Sequence, residues 1–355
     1  MGILDLSGID TEVFLYLATQ EGLSGRLFKE LKEKGLLHLF PPGIQTALRE
    51  SYLLTSARNM VLMNDLKALL SCLEKDRMRT IVLKGAALLE RIYPDIGVRP
   101  MIDIDLLFYD EEIDEVGNDS CRAGRILGSL GYSLISSCPR IYSNDRTTID
   151  IHTDVDSFSR FGTMPYAPHL STSALWKRSH QWSDGFRYVR ILSPEDTVLT
   201  LSIHIVKHSF LHLMWLIDII EIIRGNPEIN YKRIAEIARE AGFEKLLFYV
   251  FSYLMQFSPV IPEEFLLEIM PQRLGLIEKK IMQRIMENQR RDGYGDILYL
   301  CMIPQASRKI QFVRDIFFPR KDKALNYPKR ALGLMLTAGR LLWNYISDKK
   351  LRAEN

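Results

Sequence analysis

The sequence predicts an α+β protein in which a small mixed sheet lies between an N-terminal helical cap and a helical C-terminal domain. Segments rich in β-branched residues are confined to the middle of the chain, where they alternate with stretches of helical periodicity. From Ser193 onward, apolar residues recur at helical spacing. The predicted boundaries place the cap at 1–44, the α/β core at 45–190 and the helical domain, which ends in a basic tail, at 191–355.

The composition is that of a globular protein without a strong charge bias. The chain has 355 residues, 47% of them hydrophobic, which is enough for two or three packed units. The formal net charge is +2, so the overall charge does not indicate a nucleic-acid partner. The most apolar window, 197–223, contains three histidines and three charged residues, which argues against a membrane span.

The cysteines and the N-terminus favour a cytoplasmic location. The four cysteines are too widely spaced for a zinc knuckle or a redox pair, and reduced thiols are typical of intracellular proteins. The first ten residues carry acids where an export signal needs a basic segment. The sequence therefore predicts a protein that is not exported.

Helical periodicity predicts the elements of the N-terminal half. Two short amphipathic helices within 12–37 precede a double proline, which breaks the pattern. One long helix, or two nearly continuous ones, covers 44–75, because apolar residues recur there without a breaker. Another helix is predicted over 111–130.

The C-terminal half begins with a clear helix start at Ser193, which serves as the N-cap, and Pro194, which takes the first helical position. This helix is predicted to run to about Ile223. The preceding residues 158–186 are rich in Ser, Thr, Pro and Gly and predict a long loop or a strand pair. Further helices are predicted at 231–240, 244–256, 262–270, 275–287 and 329–346.

Two carboxylates in the middle of the chain have strand spacing. A short strand at 80–83 ends at a Lys84-Gly85 turn, where a phosphate can approach the backbone, and a second strand carries Asp103 and Asp105. Residues at i and i+2 point to the same side, so both carboxylates leave one face while the flanking isoleucines, including Ile102, enter the core. A fold tolerates such a pair most readily when a divalent cation bridges it. A solvated strand face is the alternative.

Two more strands are predicted at 132–135 and 147–151. The second of these carries Asp150 and His152 on the face opposite to the core-facing Ile149 and Ile151. The segment from 80 to about 155 therefore reads as a small mixed α/β unit.

An ordered set of short motifs extends over roughly residues 45 to 320. The motifs are LKG at 83–85, YPD at 93–95, RPMIDIDLL at 99–107, IDIH at 149–152, SPEDTVLTLSIHIVKH at 193–208 and FFP at 317–319. As a set, they resemble a bacterial family of uncharacterised nucleotidyltransferases in the DNA polymerase beta-like superfamily. Each motif is weak alone, but the ordered combination is specific.

The resemblance implies a catalytic site and an activity. In that superfamily, a glycine turn after the first strand grips the triphosphate, and a D-x-D strand with a third carboxylate holds two magnesium ions. Gly85 matches the glycine, Asp103 and Asp105 match the pair, and Asp150 is the expected third carboxylate. The implied function is Mg²⁺-dependent transfer of a nucleoside monophosphate, most simply AMP from ATP, to a hydroxyl on an unknown small molecule, protein or RNA. Two other aspartates, Asp154 and Asp156, are alternatives for the third carboxylate.

The nucleotide-binding residues depart from the family's pattern. Ala86 follows Gly85 where the superfamily has a serine, and the distance along the chain from Gly85 to Asp103 is longer than usual. These departures favour an alternative function, a catalytically degenerate nucleotide-binding or adaptor protein. Lys84 and Arg99 are the candidates that neutralise the β- and γ-phosphates. Lys84 can equally be an exposed turn lysine, and Arg99 can simply pair with Asp95.

A polar stripe on the helix after Ser193 predicts the other wall of the site. His204, His208 and His212 share one helical face, which permits zinc ligation. Because no acidic or cysteine ligand completes a recognisable motif, we expect instead that His204, Lys207 and His208, together with His152, line the substrate cleft.

Overall fold

One mixed seven-stranded sheet forms the centre of the part of the chain that the structure describes. The computed structural model describes residues 10–109, 121–135, 140–155, 170–303 and 306–317. The strands are β1 (Thr80–Leu83), β2 (Ile104–Phe108), β3 (Ser133–Leu134), β4 (Ile141–Ser143), β5 (Thr148–His152), β6 (His180–Gln181) and β7 (Val189–Ile191). They lie in the order β3-β4-β5-β2-β1-β7-β6, so β2 is the central strand. The predicted α+β class is confirmed.

Fourteen α-helices accompany the sheet within the described ranges. Before and between the strands lie α1 (Thr11–Gln20), α2 (Ser24–Glu33), α3 (Pro42–Lys75), α4 (Lys84–Arg91), α5 (Arg122–Ser129) and α6 (Thr172–Arg178). After the last strand follow α7 (Pro194–Lys207), α8 (Leu213–Gly225), α9 (Tyr231–Ala241), α10 (Glu244–Leu254), α11 (Glu263–Glu268), α12 (Leu276–Met286), α13 (Tyr294–Met302) and α14 (Ala306–Phe317). No helix among these combines the length and apolarity that a membrane span requires.

Helix α3 is one continuous helix from Pro42 to Lys75, so the prediction of one long helix over 44–75 is confirmed over that of two nearly continuous ones. Leucines at helical spacing along its C-terminal half, including Leu62, Leu66 and Leu73, are fully buried in the same core as the sheet. The double proline begins this helix, because Pro42 occupies its first turn, where a missing N–H costs nothing.

The predicted helix from Pro194 to Ile223 is two helices. Ser193 caps α7 as predicted, its Oγ accepting a hydrogen bond from the Asp196 N–H. The helix ends at Lys207 because Ser209 and Phe210 adopt positive φ angles of 55° and 61°. A tertiary contact accompanies this reversal: the N–H of Gly295 in α13 donates to Ser209 Oγ at 3.0 Å. Since the contact joins distant parts of the chain, local periodicity did not reveal the break.

Short elements account for most other differences from the sequence prediction. Within the stretch predicted as a loop or strand pair, the structure describes α6 and β6, while residues 156–169 lie outside the described ranges. Strands β4, β6 and β7 have two or three residues each, too few for a periodic signal. Helices α13 and α14 were not predicted. The helix predicted at 329–346 and the first part of that at 111–130 lie outside the described residues.

The apolar core is shared between the sheet and the C-terminal helices. One cluster of buried residues extends from Leu62 in α3 to Phe312 in α14. A smaller cluster, which includes Phe28, Phe40 and Leu48, lies among the N-terminal helices. The division of the chain at residues 45 and 190 stays a prediction.

Candidate active site

Sheet register brings two of the predicted carboxylates side by side. Strand β2 pairs in parallel with β5, and Asp105 lies opposite Asp150 in this register. On the other side, β2 pairs antiparallel with β1, which sets Leu83 opposite Asp105. Lys84 directly follows Leu83, so a cation and two carboxylates meet at one level of three adjacent strands.

Asp103 lies just before β2 instead of within it. The side chain of Ile102 is 71% exposed, so the expectation that this isoleucine enters the core is wrong. The register explains the difference: pairing with β5 begins at Ile104 and pairing with β1 at Asp105, so neither neighbour imposes strand alternation on 102–103. Asp103 is nevertheless close enough to Asp105 to be influenced by its charge.

Asp105 is the most heavily bonded carboxylate of the cluster. Its Oδ1 atom lies 2.7 Å from Lys84 Nζ and 2.8 Å from His152 Nε2. The same His152 nitrogen lies 3.4 Å from Asp150 Oδ2. The Lys84 side chain is only 17% exposed, so the reading of Lys84 as an exposed turn lysine is wrong. Its φ of 47°, unusual outside glycine, occurs where the strand turns abruptly into α4.

The three carboxyl groups differ in their pKa values. Burial, reinforced by the negative charge of Asp105, raises the pKa of Asp103 to about 6. Burial opposes ionisation of Asp105 as well, but Lys84 and His152 outweigh it and hold the pKa of that carboxyl well below its ordinary value. Burial raises the pKa of Asp150, a shift that His152, Lys84 and Lys207 oppose. Environment therefore assigns different proton affinities to neighbouring acids.

Asp105, Asp150 and His152 can hold a cation. One ligand atom from each lies within 4.8 Å of the others, and within the described residues no other such group of three was found. The donor set of two carboxylate oxygens and one imidazole nitrogen fits a divalent ion. Asp103 stands outside this group of three, although its carboxyl is electrostatically linked to it.

Gly85 and Ala86 are buried in the first turn of α4. A Cβ at Gly85 would lie 2.5 Å from Arg99 Nη1 and 3.0 Å from the Met101 side chain. The glycine therefore permits the segment around Arg99 and Met101 to pack against α4. Its predicted contact with a triphosphate, like that of Ala86, stays a prediction.

Arg99 is buried and bonded to α8. Its Nε and Nη2 atoms lie 3.3 and 2.9 Å from the two carboxylate oxygens of Asp218, which also accepts a hydrogen bond from Tyr93 Oη at 2.8 Å. Asp95 pairs with Lys29 instead, so the expected Arg99–Asp95 pair is wrong. The predicted role of Arg99 toward phosphates stays a prediction.

Lys207 is the last residue of helix α7. Its positive charge opposes the rise in the pKa of Asp150, so this end of α7 lies toward the carboxylate cluster. The histidines surround Trp215 in α8: ring centroids of His204, His208 and His212 lie 4.6, 5.5 and 4.6 Å from that of the indole. His212 lies beyond the end of α7, and its Nδ1 is 2.9 Å from the Gln20 carbonyl oxygen. The structure thus groups these histidines around an aromatic ring, and the group of possible metal ligands among the described residues does not include them.

Sequence reasoning missed two parts of this arrangement. His152 was expected to contact substrate, but the structure sets it between two carboxylates; its i+2 spacing from Asp150 was the available signal. Asp218 was counted only as polarity within an apolar window. Nothing local could reveal that it pairs with Arg99, 119 positions away.

Comparison with known protein families gives one match. Residues 7–258 match the family described as uncharacterised nucleotidyltransferase. No curated protein and no solved structure matches the chain.

Proposed function

The chain belongs to the uncharacterised nucleotidyltransferase family, and from that premise we propose that it transfers AMP from ATP to an acceptor hydroxyl with the help of magnesium. The family makes it an enzyme of nucleotidyl transfer and implies a nucleoside triphosphate substrate. The base, the metal and the acceptor class are the proposed elements.

The observation that carries the proposal is the meeting of Asp105 and Asp150 in register beside Lys84. A nucleoside triphosphate presents several negative charges, and its transfer builds further charge on the attacking and leaving oxygens. A divalent cation supplies electrostatic stabilisation of those oxygens when it is bound. Asp105, Asp150 and His152 would hold one ion. Asp103, whose carboxyl is influenced by the charge of Asp105, would contribute to holding a second.

The protein's own groups have distinct tasks in the transfer. The acceptor oxygen forms a bond to the α-phosphorus as the bond from that phosphorus to the α,β-bridging oxygen breaks, and pyrophosphate leaves with the bonding electrons. Asp150 accepts the acceptor's proton, a task helped by the burial that raises the pKa of its carboxyl. Lys84, which pairs with Asp105, and Lys207, whose charge acts on Asp150, offset phosphate charge at the cluster.

A second candidate is a nucleotide-binding protein without turnover. Ala86 supports it, because this position offers no hydroxyl to a phosphate and its side chain is buried. In this alternative, the carboxylates retain the cation and nucleotide but no acceptor is modified.

The test compares pyrophosphate release and ATP affinity in wild type and two matched variants. Asp150→Asn is expected to lower kcat by at least about 10²-fold and to change nucleotide affinity by less than about tenfold, because the residue acts in the chemical step. Asp154→Asn, on the same segment, is the control and should retain activity. If ATP binds in a metal-dependent way but releases no pyrophosphate in the presence of any tested acceptor, the second candidate would be favoured. Loss of activity in Asp154→Asn alone would contradict the assignment of Asp150.

A further inference from the structure

A cavity of about 380 Å³ lies between α1, α3 and the segment that leads into Asp103. Its volume suits one small molecule. Pro100 and Met101 line it, and the following residue, Ile102, accepts a hydrogen bond at its carbonyl oxygen from Nη2 of Arg58, another lining residue. The cavity, here named the α3 cavity, is therefore bordered by the same short segment that carries Asp103.

Two hydroxyl groups of the α3 cavity form no hydrogen bond within the described part of the protein, whereas that of a third lining residue, Thr19, donates to the Leu15 carbonyl oxygen. Ser51 and Thr55 line it, and neither side chain forms a hydrogen bond with a described residue. Other serines of the same helix do use their hydroxyls: Ser56 and Ser71 each donate to the carbonyl four residues earlier at 2.8 Å. The α3 cavity therefore offers two hydroxyl groups with which a ligand can form hydrogen bonds.

The side-chain oxygen of Asn59 is a further polar group of the α3 cavity wall without a hydrogen bond to any residue that the structure describes. Asn59 lines the α3 cavity and is fully buried. Its Nδ2 donates to the carbonyl oxygens of Ile96 and Arg99 at 2.6 and 2.8 Å, which fixes the orientation of the amide. Its Oδ1 atom has no hydrogen-bond partner among the described residues. A buried acceptor without a partner is costly, so the wall of the α3 cavity contains one polar atom whose hydrogen bond is unmade within the described part of the chain.

The remaining lining residues define the ligand's charge and shape. Glu50 and Arg58 contribute one charge of each sign, so the cavity selects neither an anion nor a cation. Leu54 is 71% exposed and, with Met101, supplies apolar surface. Carbohydrate rings and cyclic polyols combine apolar C–H faces with a rim of hydroxyls that donate and accept, and they carry no charge.

We propose that the α3 cavity binds a neutral polyhydroxylated ring, a monosaccharide or cyclic polyol, as the acceptor of the transfer. The acceptor role rests on the proposed function. One ring hydroxyl oxygen would bond to the α-phosphorus, its proton would pass to Asp150, and pyrophosphate would leave. Binding in the cavity is a separate property that requires neither nucleotide nor metal.

The test measures binding by saturation-transfer NMR and calorimetry with glucose and myo-inositol as neutral probes. Glucosamine and glucose 6-phosphate serve as cationic and anionic analogues, and all titrations omit nucleotide and metal. Thr55→Val and Ser51→Ala should each weaken neutral-probe binding by about three- to tenfold, the loss of one hydrogen bond. Ser71→Ala, whose hydroxyl bonds to its own helix, is the control and should bind as wild type does. No saturable binding of either neutral probe, or preferential binding of glucose 6-phosphate, would overturn the proposal.

The acceptor role has its own readout. Incubation with ATP, metal and the bound probe should yield a nucleotidylated ring, detected by its mass. A probe that binds in the cavity but stays unmodified, in an enzyme that modifies a different acceptor, would refute the acceptor role. If no acceptor at all is modified while binding persists and depends on Thr55, the nucleotidyl-transfer proposal fails and the binding site stands.

Discussion

Neighbouring carboxylates with opposite pKa shifts are the main feature of the site at the scale of single residues. The pKa of Asp103 is raised to about 6 by burial and by the charge of Asp105. Asp105 itself is held ionised by Lys84 and His152 despite its burial. A site that concentrates negative charge in this way is destabilising until a cation arrives, a common cost of function.

Asp103→Asn should therefore stabilise the protein without metal. Between pH 3.8 and about 6, the folded state binds more protons at Asp103 than the unfolded state, so this residue lowers stability as pH rises through that window. The substitution should raise the free energy of unfolding by about 1 to 3 kcal/mol at pH 7.5, with little change at pH 3.5. Urea denaturation at both pH values measures the difference.

Asp105→Asn is the contrasting variant. Because the folded-state pKa of Asp105 is lowered, its stabilising contribution is present above the ordinary pKa and disappears as pH falls through the folded value. Its loss should destabilise the protein at pH 7.5, since Lys84 and His152 lose their shared partner. If Asp103→Asn were the more destabilising of the two at pH 7.5, the assigned electrostatics would be incorrect.

His152 is expected to be a direct metal ligand. Its Nε2 lies 2.8 Å from a carboxylate oxygen of Asp105 and 3.4 Å from one of Asp150, so a divalent ion held by those carboxylates would lie within its reach. Manganese bound to the wild type should show nitrogen hyperfine coupling in pulsed EPR. His152→Ala should abolish that coupling and weaken manganese binding by at least about tenfold.

His180→Ala provides the matched control for this measurement, because His180 is exposed on β6. It should preserve both the coupling and the affinity. A wild-type spectrum without nitrogen coupling would exclude His152 as a ligand and leave it as a group that orients Asp105.

At the scale of secondary-structure elements, helix α8 fixes the segment that leads into β2. Asp218 of α8 binds both Arg99 and Tyr93, and all three side chains are buried. Asn59 of α3 holds the same segment through two of its carbonyl oxygens. Because this segment ends at Asp103, the two helices position part of the candidate site.

Asp218→Asn should reduce the free energy of unfolding by about 3 to 5 kcal/mol, the usual cost of leaving one member of a buried ion pair uncompensated. The comparison variant is Asp184→Asn. Asp184 lies 3.5 Å from Lys67 at the surface, and both side chains are exposed, so its loss should change the free energy of unfolding by less than about 1 kcal/mol. Urea denaturation of the two variants decides the comparison. Equal, small effects would mean that Arg99 finds another partner.

At the scale of the whole molecule, the sheet and the C-terminal helices share one apolar core. The buried cluster is continuous from Leu62 to Phe312, and Tyr52 packs against both this cluster and the smaller N-terminal one. Unfolding either part would expose apolar surface of the other. The sequence-based division into three units does not imply three independent stabilities.

The described part of the chain is therefore expected to unfold in one cooperative transition. Far-UV circular dichroism reports the helices, and fluorescence reports the four tryptophans, which include Trp182 beside the sheet and Trp215 in α8. The urea midpoints from the two signals should coincide. Separate midpoints would instead favour independent units near the predicted boundaries.

Local features of the sequence were sufficient for much of the fold and part of the site. The cap at Ser193, the uninterrupted apolar spacing of α3 and the β-branched run at 80–83 are each contained within a few turns or residues. Such signals depend on backbone geometry that neighbouring residues set themselves. For this reason, periodicity led to the α+β class. The resemblance of the ordered motif set led to a nucleotidyltransferase family, which the match over residues 7–258 confirms.

Only the tertiary structure decided which side chains meet. Register between β2 and β5 sets Asp105 beside Asp150, and with His152 brings a nitrogen donor to the carboxylates. A hydrogen bond from Gly295 of α13 to Ser209 accompanies the reversal that ends α7. Asp218 pairs with Arg99, which lies 119 positions earlier in the chain. The physical reason is that periodicity reports which face of an element is buried, whereas partners across a sheet or between helices depend on packing that no local pattern encodes.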